Sequence, residues 1–155
     1  MKKTSSVLLC VILMFSLSVP SFATNNIDNN TIVEYMEDGS YFITTITVVE
    51  DFSVYATNTK TASKSTSYVD SDGTVYWKAT LHASFRYTGS SATCTDAYMT
   101  YSTYDTSWKF IEKSASKSSN TATGNIIFKH YVLGIPVKTI DRTITMTCSA
   151  NGTIS

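Results

Sequence analysis

Val75-Tyr76-Trp77-Lys78-Ala79-Thr80-Leu81-His82-Ala83-Ser84-Phe85-Arg86-Tyr87 is the stretch that decides the fold. Val75, Trp77, Ala79, Leu81, Ala83, Phe85 and Tyr87 alternate with Tyr76, Lys78, Thr80, His82, Ser84 and Arg86. A period of two belongs to a strand with one apolar face, because successive side chains point to opposite sides of an extended chain. Trp77, Leu81 and Phe85 are therefore expected in the core, and Lys78, His82 and Arg86 on the open face. Just before the strand stands Asp70-Ser71-Asp72-Gly73. Aspartates that bond their own backbone, followed by a glycine free to take positive φ, make a hairpin turn. That turn joins the long strand to a partner over residues 61–69.

Working outward, β-branched and aromatic enrichment places further strands at 41–49, 52–57, 92–104, 107–116, 121–132 and 137–148. Gly89, Gly124, Gly134-Ile135-Pro136 and Asn151-Gly152 separate them. No segment sustains a helical period. Many short strands with turn residues between them argue for an all-β fold, an antiparallel β-sandwich or barrel-like domain. Lys60, Lys64, Lys113 and Lys117 sit in Ser/Thr-rich stretches, where they can protect exposed sheet edges from pairing with other chains.

The N-terminus reads as an export signal. Met1-Lys2-Lys3 precedes an apolar run over residues 7–15, and Val19-Pro20-Ser21-Phe22-Ala23 supplies small residues before a cut. The run is shorter than the roughly 20 residues a spanning helix needs. Residues 1–23 are therefore expected to leave as a signal peptide with the cut after Ala23, taking Cys10 with them. Residues 24–40, rich in Asn and acidic groups, read as a flexible lead-in, and residues 41–155 as a single β domain. The product is expected to be secreted, with no membrane anchor after cleavage.

Without Lys2 and Lys3 the chain carries ten basic and twelve acidic residues, a net charge of −2. That balance gives no reason to expect a nucleic-acid partner. Cys94 and Cys148 are the two cysteines left, and in an oxidising exterior they most simply pair as one disulfide. There is no Cys-x-x-Cys, and His82 and His130 are far apart in sequence, so no metal site is expected. Asp70-Ser71-Asp72-Gly73 resembles the start of a calcium loop, but the later ligands are missing.

A resemblance enters on particular residues. They are the Thr-Ala-Ser-Lys-Ser run at 61–65, Val75-Tyr76-Trp77-Lys78, and Phe85-Arg86-Tyr87-Thr88-Gly89-Ser90-Ser91-Ala92-Thr93-Cys94. Ser107-Trp108-Lys109, Ser118-Ser119-Asn120-Thr121-Ala122 and Thr147-Cys148-Ser149-Ala150-Asn151-Gly152 belong with them. Over residues 57–155 the chain is similar to a group of small secreted two-cysteine β proteins of Gram-positive bacteria. The resemblance implies export and a two-cysteine β domain, and carries over no activity, ligand or catalytic residue.

No serine-hydrolase elbow, zincin motif or phosphate loop occurs, so no catalytic residue and no cofactor is expected. Tyr76, Lys78, His82 and Arg86 share the outer face of the long strand and form a candidate binding stripe for an anionic polymer. Tyr98, Tyr101 and Tyr104, with Trp77 and Trp108, are aromatics that either recognise sugars or proteins or serve ordinary core and cross-strand packing. The preferred reading is an extracellular binding module for a cell-surface glycan, wall polymer or protein. The alternatives are a membrane-active or antagonistic secreted factor, weakened because residues 57–67 show no lipid face, and an unrecognised enzyme.

Overall fold

The structure is a computed structural model that describes residues 24–28, 30–51 and 58–155. Nine strands follow one another with no helix among the described residues. They are β1 (Thr24–Asp28), β2 (Thr31–Tyr35), β3 (Tyr41–Asp51), β4 (Asn58–Val69), β5 (Val75–Tyr87), β6 (Ala92–Thr103), β7 (Trp108–Ser118), β8 (Thr121–Val132) and β9 (Ile135–Thr147). Sheet A runs β1-β2-β3-β4-β5-β6 and sheet B runs β7-β8-β9, each joining sequence neighbours in antiparallel pairs. The expected strand at 52–57 lies outside the described residues.

From Trp77 to Arg86 the long strand behaves as its alternation requires, except that His82 is less exposed than expected. Trp77, Ala79, Leu81, Ala83 and Phe85 are buried, while Lys78 and Arg86 are exposed and His82 is half-buried. Sheet B meets this face with Ala122, Ile126 and Phe128 of β8 and Ile140, Ile144 and Met146 of β9. The Trp77 and Phe128 rings stack at 4.3 Å and 16° across the two layers. Small residues let the layers approach. A Cβ added to Gly124 would stand 2.5 Å from Met99 Sδ and 3.1 Å from Leu81 Cδ1. Gly124→Ala should therefore destabilise by about 1–3 kcal/mol, the cost of overpacking, with Met99 absorbing part of the strain. A thermal melt checks this, and an unchanged midpoint would mean that the sheets are less closely seated than described.

Three expectations need correction. Residues 24–40 are not a loose lead-in, because β1 and β2 are antiparallel strands of sheet A and Thr31–Tyr35 pairs with Tyr41–Thr45. Asn and acidic residues dilute the apolar pattern there, and backbone pairing to β3 replaces it. Val75 and Tyr76 leave the inner–outer alternation. A bulge sets Tyr68 opposite Trp77 and Val69 opposite Val75, so Tyr76 is the extra residue. The lysines of β4 do not guard their own strand, which is interior to sheet A. Lys64 Nζ donates to Thr145 O at 2.9 Å and Lys60 Nζ to Gly152 O at 2.6 Å, covering the open side of β9 and its following turn. Lys113 and Lys117 of edge strand β7 reach the carbonyls of Met99 and Thr95 on edge strand β6, which closes the sandwich on that side.

Candidate functional site

The most chemically varied pocket lies at the end of the sandwich where the β2–β3 and β4–β5 turns meet the start of β7. It encloses about 230 Å³ and is lined by Asp38, Ser40, Tyr68, Asp70, Tyr76, Trp108, His130 and Lys138, among others. Local chemistry sets each piece. Asp70 Oδ1 accepts the backbone N–H groups of Asp72 and Thr74, both at 2.9 Å, and Gly73 takes φ 87°. This is the hairpin turn expected from the sequence. Tyr76, displaced by the bulge, donates its hydroxyl to Asp70 Oδ2 at 2.7 Å. Oδ1 is thus filled by the turn, and Oδ2 keeps room for one further donor beside the Tyr76 hydroxyl.

Trp108 is clasped between two rings, Tyr76 at 5.8 Å and 27° and His130 at 5.1 Å and 12°. Tyr68 meets it edge-on at 5.0 Å. The indole N–H of Trp108 is buried with no hydrogen-bond partner among the described residues. Lys138 Nζ crosses from sheet B to Asp38 Oδ2 at 2.6 Å and to the Tyr68 hydroxyl at 2.8 Å. The half-exposed rings of Tyr76 and His130 border a patch of two carboxylates and one ammonium.

The charges of the pocket are settled by these bonds. Hydrogen bonds from Lys138 and then Ser40 hold the Asp38 carboxyl down at about 2. The Tyr76 hydroxyl, followed by the Thr74 N–H, keeps Asp70 below its ordinary value, and the same bond pushes Tyr76 up to about 12. Burial works against the charge on Lys138, but its bonds to Asp38 and Tyr68 outweigh it and raise the pKa. The Asp38 carboxyl is easier to ionise folded than unfolded. Its contribution to stability is therefore present above the ordinary 3.8 and lost as pH falls towards about 2.

Comparison with protein-family models, curated proteins and solved structures finds no match. The residues alone must carry the functional reading.

The expected stripe is only partly assembled. Tyr76 belongs to the end pocket. Lys78, His82 and Arg86 do share the outer face of β5. His82 stacks flat on Tyr98 at 4.7 Å and 12°, and its Nε2 lies 3.0 Å from Thr100 Oγ1. Burial against this neighbour lowers the His82 pKa, which favours the neutral ring at pH 7. Lys78 and Arg86 then stand alone, about 26 Å apart along the strand, too far apart to act as one anion site. Between them, Thr31, Thr45, Ser65, Thr80 and Thr100 lie in register across five strands, and Ser65 Oγ is 2.9 Å from Thr80 Oγ1.

A third surface is a trough between β2, β3 and β4 and residues Ile154 and Ser155. It holds about 410 Å³ beside Ile32, Ile46, Val48 and Lys64. In the adjoining pocket Arg142 bonds Glu34 at 2.6 Å while lying over the Phe42 ring at 4.5 Å. Lys64 Nζ is taken up by Thr145 O. No group of three or more His, Cys, Asp or Glu able to hold a metal occurs among the described residues.

Cys94 and Cys148 are both buried in the same core cluster and stand as thiols. Their backbones converge on one turn, since Cys94 N donates to Ser119 O at 2.7 Å and Cys148 N to Asn120 O at 3.0 Å.

Proposed function

We propose that this chain is an exported binding module that holds a polyhydroxylated polymer, a cell-surface or wall glycan, in the end pocket between Tyr76, His130, Asp38, Asp70 and Lys138. The observation that carries the reading is the placing of two ionised carboxylates and an ammonium beside half-exposed ring faces. Ring faces accept the C–H faces of a sugar, carboxylates accept its hydroxyl protons, and the ammonium donates to its oxygens. The same charges argue against glycan cleavage. A glycosidase needs one carboxyl whose pKa is raised so that it can donate a proton, and here both are lowered.

The test is a glycan array carrying wall polysaccharides and anionic wall polymers, followed by calorimetry on any ligand found. Asp70→Asn keeps an oxygen for the β4–β5 turn and removes the anion. It should weaken the ligand by about tenfold, the value of one charge-assisted hydrogen bond. A Lys78→Ala/Arg86→Ala variant should bind as the parent does. A parent that binds nothing on the array, or an Asp70→Asn variant of unchanged affinity, would remove the reading.

Export and the Cys94–Cys148 bridge belong to the same proposal. They are supported by the signal-like residues 1–23 and by the convergence of both cysteines on Ser119 and Asn120.

A further inference from the structure

The hairpin joining β8 to β9 ends in Val132-Leu133-Gly134-Ile135-Pro136-Val137. Its large side chains are in water, with Leu133 97% exposed, Ile135 65%, Val137 57% and Val132 47%. The last hydrogen-bonded ties between this hairpin and the rest of the protein are Tyr131 N to Ser107 O and Lys138 Nζ to Asp38 and Tyr68. Beyond them the strands run on for about three residues, or roughly 10 Å.

The turn itself is built against local preference. Leu133 and Gly134 take φ of 51° and 81°, so both central residues are left-handed. This is the two-residue turn that favours Asn-Gly, because Asn tolerates positive φ and leucine does not. A leucine that is strained and wholly exposed gains nothing from its own fold. Strain kept at such a position points to a role outside it.

We infer that this hairpin tip is a membrane-docking finger that inserts into the interfacial layer of a lipid bilayer. The order of chemistry along it matches that layer. The apolar end comes first, the half-buried Tyr131 stands behind it, and Lys129 stands further back on β8 with Lys109 paired across from it. Interfacial segments bury an apolar face about 5–10 Å deep, hold aromatic rings at headgroup level and place basic groups among the phosphates. The reach of the finger suits that depth and is too short to span. Glu37, Asp38, Asp70, Asp72 and Asp105 lie in the turns set back at the same end, so the preference for anionic lipid should be modest. This inference goes beyond the glycan reading and does not rest on it.

Flotation with vesicles tests it, using the chain processed after Ala23, since every described strand lies beyond that point. Vesicles of phosphatidylcholine alone and of phosphatidylcholine with one-fifth phosphatidylglycerol are compared. The parent should float with both, a few-fold better with the second at low salt. Leu133→Asn fits the turn, so its melting temperature should hold or rise while its vesicle partitioning falls about tenfold or more. Entrapped dye should stay inside. A parent that floats with neither vesicle, a Leu133→Asn variant that floats as well as the parent, or dye release overturns the inference. So does a parent that stays off vesicles yet self-associates where Leu133→Asn is monomeric, because a second copy would then cover the tip.

Discussion

Phe85→Ala is expected to lower the unfolding free energy by about 3–5 kcal/mol, the lost transfer energy of the ring plus the cavity it leaves. Phe85 is fully buried on the inner face of β5, opposite Cys94, where the β5–β6 register shifts. Core packing in the sandwich is dense enough that a void of this size does not close fully. Urea unfolding should show the midpoint fall with its slope kept. The companion change His82→Ala lies three residues earlier on the opposite face. It removes the Tyr98 stack and the Thr100 contact and should cost only about 0.5 kcal/mol. The contrast is the point of the pair, because the two positions lie on opposite faces of one strand. If Phe85→Ala costs less than about 1 kcal/mol, the inner face of β5 is not the core and the two-layer arrangement is wrong.

That register was legible in the sequence because burial acts on one face of β5 at a time. Where one face is covered and the other wet, composition must alternate, and it does from Trp77 to Arg86. The same physics explains what was missed. β7 beyond Phe110 is exposed on both faces, and β2 mixes apolar residues with Glu34 and Thr31, so neither carries a strong pattern. These strands are held by backbone pairing and by long-range ties such as Lys113 to Met99 and Arg142 to Glu34. A pattern of single residues does not encode such ties.

The candidate pocket was less legible than the fold. Asp70 could be read as a turn residue and Tyr76 as a member of a stripe, but the bulge between them redirects Tyr76 towards Trp108. A bulge adds one residue to one strand, and no composition rule marks where that happens. Asp38 and Lys138 are a hundred residues apart along the chain and meet only because the sandwich folds. In the sequence His130 was only a histidine far from His82, with no partner to give it meaning. The fold supplies Trp108. His82 adds little charge to the stripe, since its burial beside Tyr98 lowers its pKa. The pocket and the apolar finger share His130 and Lys138 on one hairpin, so a docked membrane would set the pocket near headgroup level.

The second large effect is expected from Cys94 and Cys148. Paired, they close a loop of about 55 residues, worth roughly 4 kcal/mol in the chain-entropy account. Loss of the bond through Cys94→Ala or reductant should lower stability by about 2–5 kcal/mol. Both backbones converge on Ser119 and Asn120, where β6, the β7–β8 turn and the end of β9 meet. A bridge there would tie sheet A to sheet B at the end opposite the pocket. Its chemistry also predicts when it forms. Burial raises both thiol pKa values, so little thiolate exists once the core has closed. Both sulfurs are also closed off from an external disulfide once packed, so pairing is expected before final packing, with the two thiols giving two electrons and two protons to an external disulfide that is reduced to thiols. Reductant should act slowly on the folded protein and fast on the unfolded one. Intact mass of the protein taken from culture medium reads the processing as well. It should correspond to residues 24–155 and be about 2 Da below the fully reduced form, the mass of the two thiol hydrogens lost on pairing. Two titratable thiols in the native exported protein would refute the bridge, and retention of Met1 to Ala23 would refute the cut.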